Sequence, residues 1–245
     1  MKEQWIKVTR GSIYAAVAYS VVDAIETSYD GPAGLEEITV PAALLEPQTV
    51  LRLAQGGRVR LRVGAPGHEG PLGDPLRLDN GAVVEVYLDP EYLGDALLVD
   101  LYSEIPRRTL QLDSTYIREA AAKTASRGGV EYLFVYTDTG SLAALEGDVH
   151  QVRIPFVHAI LTLHTHPPEA CGFSLADAKS AVDLMAEGGL AEAVATTRCI
   201  IILRRHGLLS EDDYIAVKSL RGKKSSPFNP ARLRLTNLRL EMLYY

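Results

Sequence analysis

The stretch HAILTLHTHPPEACGFSLAD, residues 158–177, decides the fold. Its first half, 158–166, reads as a strand, a short apolar run with branched residues. Pro167 and Pro168 end it, because proline offers no N–H to a strand ladder. Ser174 suits a helix N-cap, and a helix is expected from about 174 to 187, stopped by Gly188 and Gly189. Strand followed by helix is the repeating unit of an α/β domain.

The neighbouring sequence extends that pattern. Residues 113–127 (DSTYIREAAAKTASR) predict a helix capped by Asp113 or Ser114 and closed by Gly128 and Gly129. EYLFVYT (131–137) and CIIIL (199–203) predict strands, and the tail from 231 fits either a strand or a helix. The N-terminal part has another character. It offers one clear helix at 12–26, with Ser12 as N-cap, then ITVP and a short helix at 47–54. In GRVRLRV, Arg58, Arg60 and Arg62 alternate with Val59, Leu61 and Val63, the pattern of a half-exposed strand. A Gly- and Pro-rich loop follows at 64–81, then GAVVEVYL and DALLVDLY as strands. The IPRR segment at 105–108 marks the expected seam. The expectation is an α/β chain: a smaller strand-rich α+β domain at 1–105, then a mixed-sheet domain flanked by helices at 109–245.

Composition narrows the function. At 47% hydrophobic and 23% charged, the chain resembles an ordinary globular protein. Its net charge of −6 argues against a protein built to grip nucleic acid, which usually carries a basic bias. The basic stretches at 58–62 and 221–224, with Arg232, Arg234 and Arg239, read as solvated faces. There is no apolar signal segment, and the longest early apolar run is too short to span a bilayer. Cys171 and Cys199 form no CxxC pair, so neither a disulfide framework nor a cysteine zinc cage is indicated. Two thiols in so long a chain fit a reducing compartment, and a cytoplasmic protein is expected. Cys171 reads as a small apolar filler.

The chemistry concentrates in 158–177. His164 and His166 stand at i and i+2 on a strand, so their imidazoles point to one face and can converge on one ion. Imidazole nitrogen suits zinc at ~2.0–2.1 Å. Ser174-x-x-Asp177 is also close to a capping box, which satisfies free amides at a helix start. The two roles are compatible if the backbone caps while the hydroxyl faces the site. His158 shares the strand face but lies six residues from His164, about 20 Å at ~3.3 Å per residue, too far to join a common ion. His68, His150 and His206 sit near loop signals and read as surface residues.

Taken together, His164-x-His166-Pro167-(x)6-Ser174-x-x-Asp177 resembles the JAMM motif of the MPN/JAB metalloprotease family. The resemblance covers roughly residues 109–245; residues 1–105 match nothing known to us. It implies an MPN/JAB-like domain, one zinc ion with a bound water, and His164, His166 and Asp177 as metal ligands. It also implies Ser174 as hydrogen-bond donor to the oxyanion. The family has a glutamate upstream, between a helix and a strand, and Glu131 has that context, whereas Glu104, Glu119 and Glu146 do not. Glu131 would be general base, then acid. The family often continues with small residues here, but this chain has Tyr132-Leu133-Phe134-Val135, a departure that implies a narrower adjacent groove or a different fit to the substrate. The implied function is hydrolysis of a peptide or isopeptide bond at the C-terminus of a ubiquitin-like or sulfur-carrier-type protein. That substrate's tail would lie as an added strand on a sheet edge. The alternative is a non-catalytic MPN-type scaffold. A zinc deaminase would need H-x-E and P-C-x-x-C, and neither occurs.

Overall fold

The computed structural model describes residues 4–32, 34–41, 47–147, 158–168 and 171–244. The chain is mixed α/β and divides into two compact units. One comprises Lys7–Leu112 with Tyr136–Leu142; the other comprises Met1–Ile6, Asp113–Val135 and Ala143–Tyr245. The division therefore falls at the end of a helix, and the IPRR segment lies inside that helix.

A short strand, β1 (Gln4–Lys7), comes first and joins the larger sheet described below. The unit that follows begins with α1 (Arg10–Ser28). Its N-cap is Thr9 rather than Ser12: Thr9 and Ser12 exchange backbone and side-chain bonds in a capping box, with Ser12 one turn inside. The hydroxyl of Ser12 also donates to the Gly140 carbonyl at 2.6 Å. Next come β2 (Thr39–Val40), α2 (Pro47–Ala54) and β3 (Arg58–Val63). Two short strands follow, β4 (Gly70–Pro71) and β5 (Leu76–Arg77), then β6 (Val83–Leu88) and β7 (Ala96–Leu97). Strands β3 and β6 pair in parallel, with β4 and β5 antiparallel to β6. As the alternation requires, Leu61 and Val63 are buried while Arg58, Arg60 and Arg62 face out. Those arginines meet Glu85 and Asp89 on the exposed face.

The segment read as the strand DALLVDLY is mostly helix: α3 runs Leu98–Leu112. The buried residues Leu98, Leu101, Tyr102, Ile105, Thr109 and Leu110 recur at helical spacing. Pro106 lies inside the helix, where it supplies no N–H for the bond to the residue four before it.

In the other unit, α4 (Ser114–Ser126) leads into β8 (Tyr132–Thr137). Gly128 and Gly129 reverse the chain between them at positive φ, +68° and +88°. The Gly129 amide bonds back to the Thr124 carbonyl, the helix-closing arrangement that glycine permits. The elements β9 (Leu142–Glu146), β10 (Ala159–Thr165), α5 (Leu175–Ala186), β11 (Ala191–Ala195) and β12 (Cys199–Arg205) follow. Helix α6 (Glu211–Lys218), a 3-10 turn at Pro230–Arg232 and strand β13 (Leu238–Tyr244) follow, so the tail is a strand from Leu238 onward. Among the described residues, the larger sheet has seven strands in the order β1-β9-β8-β10-β11-β12-β13. Strands β10 and β11 run parallel, which requires a crossover, and α5 is that crossover. Phe173, Ala178, Val182 and Met185 pack with Val194, Ile201 and Leu203 in one apolar cluster.

The two cysteines, expected as free thiols, form a disulfide: Cys171, between β10 and α5, is joined to Cys199 at the start of β12. Sequence spacing gave no hint, because the partners are 28 residues apart and neither lies in a CxxC pair. Disulfides persist in oxidising compartments and in some heat-adapted cytosols, so the thiol count no longer supports a reducing compartment. Among the described residues, no helix is long and apolar enough to cross a membrane. On the loop-entropy account, a bridge closing this separation contributes about 3–4 kcal/mol. Cys199→Ser, or reduction of the native protein, is therefore expected to lower the urea midpoint. Equal midpoints with and without dithiothreitol would show that the bridge stabilises nothing.

Candidate metal centre

Strand β10 places two histidines at its C-terminal end. His164 is within the strand, and His166 follows it, its amide still bonded to the Ala195 carbonyl at 2.8 Å. The pleat turns both rings to one face, with centroids 4.7 Å apart. Thr165, between them, points the other way. Its hydroxyl lies 2.6 Å from that of Thr124 and accepts the Tyr132 amide at 2.8 Å. That last bond holds the residue after Glu131 beside the histidine pair.

Helix α5 supplies the third group. Ser174 is its N-cap: the Ser174 amide donates to Asp177 Oδ2 at 2.7 Å, and the Asp177 amide donates to the Ser174 hydroxyl oxygen at 3.2 Å. The cap thus uses the side chain of Ser174, not only its backbone. The same box fixes Asp177 facing the histidines.

The ligand atoms of His164, His166 and Asp177 all lie within 4.8 Å of one another. The His164 and His166 Nε2 atoms are 3.0 Å apart; Asp177 Oδ1 is 3.4 Å from the first, and Oδ2 is 3.6 Å from the second. Ligands at ~2.05 Å around a tetrahedral ion stand about 3.3 Å apart. The two imidazoles and one oxygen of the carboxylate lie close enough together for the triad to converge on one metal ion. Two imidazoles and a carboxylate leave a fourth position open, the usual arrangement where a metal also meets water or substrate.

The charges around the triad are coupled. Burial works against a charged His164, but Asp177, Glu192 and Glu131 outweigh it and raise its pKa. For Asp177 burial pushes upward, yet His164 and the two Ser174 groups hold it far below the usual carboxylate range. Burial raises Glu131, with Asp177 adding to the rise and His164 opposing it. Glu131 lies between α4 and β8, one residue before the strand begins rather than at its first position, and its side chain is half-buried. Its carbonyl accepts the Gly147 amide at 2.8 Å.

One member of the cluster escaped the sequence reading. Glu192, on β11, is 5% exposed, with Oε1 3.4 Å from His164 Nδ1. Burial drives its pKa up to about 7, Asp177 adds to the rise, and His164 and Ser180 oppose it. The available signal was a single acid among the buried residues of AEAVA. The other described histidines, His158, His68 and His206, stay out of the site, as expected. His158 is exposed, with Nε2 3.1 Å from the Glu187 carbonyl oxygen. His68 is exposed beside Asp30, His206 is exposed, and His150 lies outside the described residues.

No protein-family model, curated protein or solved structure matches the chain.

Ligation needs the Nε2 lone pair, so a proton on His164 competes with the metal. The metal-free protein keeps that proton to higher pH than an ordinary histidine does, because the pKa is raised. Affinity for a divalent transition metal should therefore fall as pH drops from 8 to 6. The expected loss is about tenfold per unit once His164 is protonated. Competition against a chromophoric chelator at each pH measures this, and a flat profile would contradict it.

Proposed function

We propose that the chain is a zinc-dependent metallopeptidase of JAMM type. In this reading, the unit containing residues 113–135 and 143–245 has an MPN/JAB-type arrangement. It hydrolyses a peptide or isopeptide bond at the C-terminus of a ubiquitin-like or sulfur-carrier-type protein. The observation that carries the reading is the convergence of His164, His166 and Asp177, from two separate elements, with ligand atoms within 4.8 Å of one another.

His164 and His166, through Nε2, and Asp177, through a carboxylate oxygen, would hold the zinc. Bound there, zinc supplies Lewis acidity and brings the pKa of a coordinated water toward ~7. The remaining steps belong to the protein. Glu131 is half-buried and within electrostatic reach of His164 and Asp177, and its raised pKa makes its carboxylate a stronger proton acceptor. It takes one proton from the attacking water as oxygen bonds to the scissile carbonyl carbon. It returns that proton to the leaving amine as the C–N bond breaks. The Ser174 hydroxyl, at the mouth of α5, donates to the carbonyl oxygen as negative charge develops there. The cap engages the Ser174 hydroxyl oxygen as acceptor of the Asp177 amide, and in the metal-free protein the same hydroxyl also helps to hold the Asp177 carboxylate ionised.

A non-catalytic scaffold is the competing reading, and it has no need for this donor set. Metal analysis of the purified full-length chain separates the two; absence of stoichiometric zinc would favour the scaffold. Within the enzyme reading, His166→Ala or Asp177→Ala is expected to abolish both zinc binding and hydrolysis. Glu131→Gln should keep zinc and lose about 10²–10⁴-fold in turnover, the usual contribution of a positioned acid-base group. The assay is cleavage of a panel of ubiquitin-like and sulfur-carrier fusions. Undiminished turnover in Glu131→Gln would remove the glutamate from the mechanism.

A further inference from the structure

We infer that Glu192 is a positioning residue that selects the metal-binding tautomer of His164. The inference rests on the reading of His164, His166 and Asp177 as a metal site. In the parallel register of β10 and β11, Thr162 faces Glu192 and His164 faces Val194. Glu192 and His164 are therefore diagonal neighbours on one face of the sheet. Their contact is specific to one ring nitrogen. Glu192 Oε1 is 3.4 Å from Nδ1, whereas Nε2 faces His166 and Asp177.

A neutral imidazole carries one proton, on one nitrogen or the other. For Nε2 to offer a lone pair, the proton must stay on Nδ1. A carboxylate beside Nδ1 favours that tautomer, fixes the ring's rotation and makes Nε2 more basic. Packing gives no reason for an acid here. The flanking residues Ala191 and Ala193 are fully buried, and the facing Leu203 is apolar. Glu192 touches no reacting atom in this arrangement; it acts through His164.

The test compares zinc affinity and the visible spectrum of the cobalt(II)-loaded full-length protein for wild type, E192Q, E192L and E192A. Circular dichroism of each metal-free variant checks the fold. E192L and E192A, which remove the acceptor, should bind zinc 10–100-fold more weakly and show an altered cobalt band. E192Q keeps an oxygen that can accept from Nδ1–H, so it should lose less than E192L and retain the wild-type band. Wild-type affinity in E192L and E192A overturns the inference, as does a loss in E192Q as large as that in E192L. A wild-type chain that takes up neither zinc nor cobalt overturns the metal centre itself, and this inference with it.

Discussion

The pleat of β10 is the constraint on which the site depends. Successive side chains of a strand must leave opposite faces. That rule sends Thr162, His164 and His166 one way and Thr165 the other. Each direction meets a different helix. The histidines face Asp177 at the start of α5, and Thr165 meets Thr124 of α4. Because Thr165 also accepts the Tyr132 amide, the strand that begins after Glu131 is registered against the histidine pair. A one-residue slip of β10 would send the imidazoles to the α4 side and break every one of these contacts.

Charge balance is the second constraint. Asp177, Glu131 and Glu192 gather around two imidazoles in surroundings that penalise charge, where an uncompensated ion costs several kcal/mol. The metal-free protein answers with protons: the pKa of His164 rises and that of Glu192 reaches about 7, while Asp177 remains ionised. A divalent cation would supply the same compensation in place of the protons. Proton and metal thus compete for one cluster, and the acids that draw the proton to His164 are those that would stabilise a cation.

Much of this arrangement was legible in the sequence because its signals are local. The H-x-H spacing, the two prolines, the Ser174–Asp177 box and the Gly128–Gly129 stop each act within a few residues, and each lies where the sequence places it. Non-local features were not legible. Strand β11 is AEAVA, mostly alanine, and it is a strand because β10 and β12 flank it, not because of propensity. The role of Glu192 exists only through that pairing. The disulfide joins a loop to a strand 28 residues on. Helix α3 was misread for a different reason: in a short apolar run the two periods look alike, although Leu98, Leu101, Tyr102 and Ile105 carry the helical spacing.

The Ser174–Asp177 box makes helix start and candidate site a single structure. Asp177 Oδ2 accepts the Ser174 amide, and the two carboxylate oxygens also face the histidines. Removing that side chain takes away a metal ligand and half of a helix cap together, and caps alone contribute ~1 kcal/mol. Loss of metal after such a change therefore mixes a chemical effect with a local unfolding effect. His166 is free of this ambiguity. Its ladder bond to Ala195 comes from the backbone amide, so its side chain can be removed while β10 stays paired to β11. The ladder bonds of His164 are likewise backbone bonds, so of the three candidate ligands only Asp177 couples loss of metal to loss of a cap.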